Sequence, residues 1–238
     1  MELSLNFRRF TIGLILLLGI GLNAQINSGV YLTKPQKDQP LHELKVDNGY
    51  LILSSYQEQP AAFVSTLGGF LEVKDNMIIV KLEFNSNFEQ DAIRELKYPY
   101  SIANGILKIN AGEQLEFHLT DGEKQELDGQ WLFGTRGPDK GQERRGDNSS
   151  RKTLKFLQNG RFQWIAYNVE SMKFHGTGGG SYRAVNGIYQ ENIEYFSRDN
   201  SRVGASLNFE YSVEGNDWHH KGKNSKGEPM YEIWMKRK

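Results

Sequence analysis

Asn48-Gly49-Tyr50-Leu51-Ile52-Leu53-Ser54-Ser55-Tyr56 returns further along the chain as Asn159-Gly160-Arg161-Phe162-Gln163-Trp164-Ile165-Ala166-Tyr167, an offset of 160 − 49 = 111 residues. Residues 48–109 align without a gap on 159–220 at that offset. Thr66-Leu67-Gly68-Gly69 meets Thr177-Gly178-Gly179-Gly180, and Phe63/Phe174, Glu83/Glu194, Leu96/Leu207 and Tyr100-Ser101/Tyr211-Ser212 hold the register. The chain is a diverged tandem duplication. Positions where the copies agree report what the fold needs, and positions where they differ report where function has moved.

Each copy reads as β-structure. Asn-Gly pairs at 48–49, 104–105, 159–160 and 186–187 sit between β-rich segments and favour the positive φ angles of tight hairpins. Residues 205–213 alternate apolar and polar, and 94–102 keep the same parity. Eight or nine short strands per copy suit a small closed antiparallel barrel, with a sandwich as the competing fold. The expected layout is a first barrel over 25–120, a polar linker over 121–126 and a second barrel over 127–238. Copy two carries a glycine-rich basic insertion from Gly134 to Lys152, expected as a mobile loop at one barrel end, its cations being Arg136, Lys140, Arg144, Arg145, Arg151 and Lys152.

The first residues have a different character. Arg8-Arg9, an apolar run from Phe10 to Leu22 and Asn23-Ala24-Gln25 follow the pattern of a secretory signal peptide cleaved after Ala24. The run is shorter than the roughly 20 residues that span a bilayer, so export to the periplasm or medium is expected, without stable membrane insertion after cleavage. The chain has no cysteine, which excludes disulfides, thiolate chemistry and lipid attachment through an N-terminal cysteine. With 29 basic and 29 acidic side chains, its charge balance argues against nucleic acid as a general partner.

Gly129-Gln130-Trp131 resembles the Gly-x-Trp signature of lipocalin-like barrels. Phe162-Gln163-Trp164, Gly178-Gly179-Gly180-Ser181-Tyr182 and Tyr189-Gln190-Glu191-Asn192-Ile193-Glu194-Tyr195 resemble an uncharacterised lipocalin-like domain family of secreted Bacteroidetes proteins. The resemblance covers residues 127–238 and reaches 27–120 through the repeat; copy one offers Gly29-Val30-Tyr31 in place of the signature. It implies an all-β, two-barrel protein with cup-shaped domains open to ligand binding. It also implies that Trp131 packs against a basic residue near the chain end, Lys236 or Arg237.

The copies differ inside the barrels. If Lys81, Glu83 and Asn85 face water, then Ile78, Val80, Leu82 and Phe84 face inward, and their counterparts are Tyr189, Glu191, Ile193 and Tyr195. Leu53 becomes Trp164, Leu71 becomes Tyr182, Leu107 becomes Trp218 and Ile109 becomes His220. All four tryptophans belong to copy two. Aromatic walls with a few convergent polar groups describe a small-molecule pocket, although Trp and Tyr also fill ordinary β cores. An inward Glu191 requires a partner, either a tyrosine of its own barrel or a polar or cationic group on a ligand. Glu83 and Glu194 are expected outside, in cross-strand or strand-edge contacts.

The candidate ligand-binding set is therefore Trp164, Tyr182, Tyr189, Glu191, Trp218 and His220, holding a small, partly apolar molecule without catalysis. One alternative is an enzyme with Glu191 as general acid or base, assisted by His220 or Tyr182. Another is a carbohydrate- or protein-interaction module with an exposed tryptophan platform. No cofactor or metal is expected: His219 and His220 are strand neighbours that point to opposite faces. Gly178-Gly179-Gly180 reads as a site of close backbone contact rather than an anion nest.

Overall fold

A computed structural model describes residues 25–224 and 227–237; the leader expected over residues 1–24 lies outside them. The first copy supplies β1 (Gly29–Leu32), β2 (Leu41–Asp47), β3 (Tyr50–Glu58), β4 (Ala61–Lys74), β5 (Met77–Asn85), β6 (Glu95–Ala103), β7 (Ile106–Asn110) and β8 (Gln114–Leu119), with a one-turn helix α1 (Phe88–Asp91) between β5 and β6. The second supplies β9 (Gly129–Arg136), β10 (Arg151–Gln158), β11 (Arg161–Asn168), β12 (Phe174–Val185), β13 (Ile188–Phe196), β14 (Ser206–Glu214), β15 (Asp217–Lys223) and β16 (Pro229–Lys236). Within each copy every strand pairs antiparallel with the next. β1 closes on β8 and β9 on β16, so each copy is a closed eight-stranded barrel of the kind a lipocalin-like fold requires.

The Asn-Gly turns do what their chemistry dictates. Asn48, Asn104, Asn159 and Asn186 lie at φ +45° to +54°, and the glycines after them at +72° to +77°. Both central residues of each hairpin are thus left-handed, matching the twist of the flanking strands.

A bulge shared by both copies corrects the simple parity. Gly69 pairs with Leu82 while Gly68 pairs with Phe84, so Glu83 is an extra residue in the ladder. Glu194 is extra in the same way between Ile193 and Tyr195. A side chain on Gly69 would strike the Lys81 carbonyl, and one on Gly180 the Asn192 carbonyl. The repeated glycines therefore permit the bulge. Beyond it the strand reverses its facing, and Phe84 and Tyr195 point away from the barrel interiors.

They point into the contact between the barrels. Tyr50, Ile52, Phe84, Leu132, Leu154, Phe156, Ile165 and Tyr167 form one buried apolar cluster spanning both copies. Phe63 stacks on its own counterpart Phe174 at 6.1 Å. Tyr56 stacks on Tyr195 at 4.5 Å, and the equivalent pair, Tyr167 and Phe84, meets at 5.1 Å. Such reciprocity is the mark of a two-fold arrangement.

Charged groups are sealed into the same layer. Glu83 accepts from Lys152 and Arg237 and from the hydroxyls of Tyr50 and Tyr167, all at 2.8–3.0 Å. Burial pushes its pKa up, but Arg237 and then Lys152 outweigh burial and hold it at about 2. Glu43 is held at about 2 by Arg161 and Lys45, again against burial. Arg161 also reaches Glu194 at 2.7 Å. Of the glutamates repeated in the two copies, Glu83 thus joins the barrels directly, while Glu194 holds the Arg161 that crosses to Glu43. The basic insertion is shorter than its composition suggested, since Arg151 and Lys152 already belong to β10 and Lys152 is buried against Glu83.

Candidate functional site

Inside the second barrel an ammonium group sits among rings. Lys155 projects inward from β10, and its Nζ lies 5.0 Å from the ring centres of Tyr189 and Trp218, 5.1 Å from Trp234 and 6.0 Å from Phe209. It donates to Glu191 Oε1 at 2.8 Å, and the Tyr189 hydroxyl donates to the same oxygen at 2.8 Å. Ring faces and a carboxylate together favour a cation in a site with little water. The cation beside Glu191 is therefore Lys155, and the carboxylate has a tyrosine partner as well.

His220 completes the layer. It packs at 4.2 Å from Phe209 and 5.2 Å from Trp218, with Nδ1 3.7 Å from Glu232. Burial, and next the Lys155 charge, push its pKa down to about 4, so the ring is neutral near pH 7. Among the described residues Trp218 Nε1 and the His220 ring nitrogens lack a partner within 3.5 Å, the long contact to Glu232 aside, although His220 is 2% exposed and Trp218 fully buried. Unmatched polar groups at such depth are costly.

The strand register gives this interior two unlike ends. Toward the Asn-Gly hairpins the inward residues Leu127, Trp131, Leu157, Phe162, Tyr182 and Tyr189 are all buried. Trp131 donates to the Leu127 carbonyl at 2.8 Å, and Lys236 Nζ covers its ring at 4.5 Å. Of the two basic residues suggested by the resemblance, Lys236 takes this place, while Arg237 goes to Glu83. Toward the opposite end, Phe133, Trp164, Phe196, Leu207 and Met230 pack on the same core but are only partly buried. The interior is therefore bounded by the buried Trp131 and Tyr182 at one end and by the partly buried Phe133, Trp164 and Phe196 at the other.

The six residues singled out from sequence divide accordingly. Tyr189, Glu191, Trp218 and His220 converge around Lys155. Trp164 stands edge-on to Phe196 at 5.6 Å near the mouth. Tyr182 lies at the floor, its hydroxyl donating to Asp128 rather than reaching Glu191. Gly178 carries no side chain because one would collide with Trp164 and Phe196.

Three members of the layer escaped the sequence reading: Lys155, Glu232 and Trp234. Lys155 pairs with Trp164 as Leu44 pairs with Leu53, so it keeps the offset of 111, only four positions before the ungapped match begins. Extending the match upstream would have exposed the change from Leu44 to Lys155. Glu232 and Trp234 lie beyond a longer β15–β16 turn, where a constant offset ends. The ladders match them to Leu115 and Phe117.

Elsewhere, an open cleft of about 500 Å³ lies on the first barrel between Thr33, Gln39, His42, Glu113 and His118. It is polar and solvent-facing, and His42 within it is paired with Ser55 at 2.7 Å. Among the described residues no group of three or more His, Asp or Glu side chains is placed to hold a metal ion. No protein-family model matches this chain, and comparison with curated proteins finds no match.

Proposed function

We propose that this is an exported, non-catalytic binding protein of the lipocalin-like domain family, which takes a small, partly apolar molecule into the cup of its second barrel. The observation that carries the reading is the replacement of four aliphatic residues by four polar ones in a single layer. Leu44, Val80, Ile109 and Leu115 line the first barrel, and Lys155, Glu191, His220 and Glu232 stand at the matching ladder positions of the second. A buried charged set is no more stabilising than well-packed aliphatics of similar volume, so packing alone gives no reason for it. The Trp218 Nε1–H and His220 nitrogens, unmatched among the described residues and lying below the partly buried Phe133, Trp164 and Phe196, offer hydrogen bonds to a guest. Trp131, Trp218 and Trp234 are buried, so the tryptophans line an interior rather than an exposed platform.

The test is mass spectrometry of small molecules released from protein purified from its native host, with a thermal-shift and tryptophan-fluorescence screen of the full-length protein. A bound compound that raises the melting temperature, and loses affinity in Trp218→Phe and His220→Phe, is the expected result. Protein that emerges empty and responds to no compound would sink the proposal.

A further inference from the structure

The rim of the second barrel carries charge opposite to its interior. Lys155 pairs with Glu191 at 2.8 Å and Glu232 lies 3.7 Å from His220, so the interior layer sets two carboxyl groups beside one amine. At the rim, Arg145 lies over the half-buried Phe133 ring at 4.5 Å. Arg136 pairs across the ladder with Glu232, and Arg151 opens β10 at the same end. Arg144 is held by Asp139 and Asp217, whereas Arg136, Arg145 and Arg151 form no ion pair among the described residues. Burial and the neighbouring charges of Arg151 and Arg136 lower the pKa of Arg145, against Glu232. These like charges crowd one edge of an aromatic opening.

Resting on the proposed cup, we infer that its ligand is an organic anion, an amphiphile whose charged group lies among Arg136, Arg145 and Arg151 and whose apolar body passes Phe133, Trp164 and Phe196. The two charge zones fix its direction. An anion driven inward would meet Glu191, while at the rim it meets Arg136, Arg145 and Arg151, whose guanidinium groups outnumber the one neighbouring carboxylate, Glu232, and suit carboxylate, sulfonate or phosphate oxygens. The inner end of the ligand is polar and uncharged, to meet Trp218 Nε1–H, which donates, and the neutral His220 ring, which both donates and accepts. The same rim raises the rate of encounter with anions at low salt.

Two fluorescent probes that share an apolar body test this on the full-length protein: anilinonaphthalene sulfonate and the uncharged phenylnaphthylamine. The sulfonate should bind roughly tenfold more tightly at low salt, with the gap narrowing as salt rises. The exposed triple variant Arg136→Gln, Arg145→Gln, Arg151→Gln should erase the gap by weakening the sulfonate roughly tenfold more than the neutral probe. Leu207→Trp, which fills the mouth, should weaken both probes. Equal affinities in the wild type, or a preference that survives the triple variant, overturns the anion inference while the cup stands. If neither probe binds, or Leu207→Trp affects neither, the cup itself falls and the inference with it.

Discussion

At one level of the first barrel the wall is Leu44, Val80, Ile109 and Leu115; at the same level of the second it is Lys155, Glu191, His220 and Glu232. The backbones around them share hairpins, bulges and closure. Both interiors are therefore compatible with one scaffold, and the difference lies in what the side chains can do. Aliphatic contacts supply burial without direction, whereas the second layer fixes charges and hydrogen-bonding atoms in chosen places at a desolvation cost. The first barrel is the reference state in which that cost is absent.

The sharpest way to break the contrast is to convert one interior toward the other. Lys155→Leu alone strands Glu191 without its cation and should destabilise the protein by about 3–5 kcal/mol, read as a shifted denaturant midpoint. Adding Glu191→Val and Tyr189→Phe, which removes the stranded carboxylate and the hydroxyl that served it, should return stability to the wild-type level or above. A triple variant as unstable as the single one would mean that shape, not charge, sets the cost.

A smaller effect concerns protons. The folded pKa of His220, about 4, lies below its ordinary 6.5, so folding expels a proton. Its contribution is complete above about pH 6.5 and is lost as pH falls toward 4, a change of about 3 kcal/mol. His220→Ile, the residue of the first barrel, should flatten melting temperature against pH over that window. Glu43 and Glu83, held at about 2 against an ordinary 4.5, contribute stability above about pH 4.5 and lose it as pH falls through 2. That acid limb should persist in the variant.

The smallest effect is at the floor. Lys236 over Trp131 in the second barrel matches Leu119 beside Tyr31 in the first, and Lys236→Leu should cost about 1 kcal/mol. Equal melting curves would show that the cation adds nothing to the ring.

Most of the fold was legible because hairpin chemistry is local: Asn-Gly demands positive φ wherever it stands, and strand alternation follows from a period of two. The facing of Phe84 and Tyr195 was hidden because a single extra residue, Glu83 or Glu194, reverses parity, and a bulge leaves no gap when both copies share it. Of the candidate site, Glu191 and its aromatic neighbours could be read from the differences between the copies. Its actual cation could not be read there, since Lys155 reaches Glu191 across 36 positions of sequence and matches a residue just outside the aligned block. The role of the repeated glutamates was equally remote, because Glu83 meets Arg237 only when two whole barrels are brought together.

The reciprocal stacking of Phe63 on Phe174, with Tyr56 on Tyr195 answered by Tyr167 on Phe84, is the geometry of a homodimer whose subunits have been joined end to end. The short connection replaces an encounter between molecules with an effective concentration on the order of millimolar, so the contact no longer depends on how much protein the cell makes. Joining also lifts the rule that every change in a symmetric contact occurs twice. Arg161 stands where its twin position holds Tyr50, and that single-sided exchange lets one half carry a new charge while the other keeps the old ring.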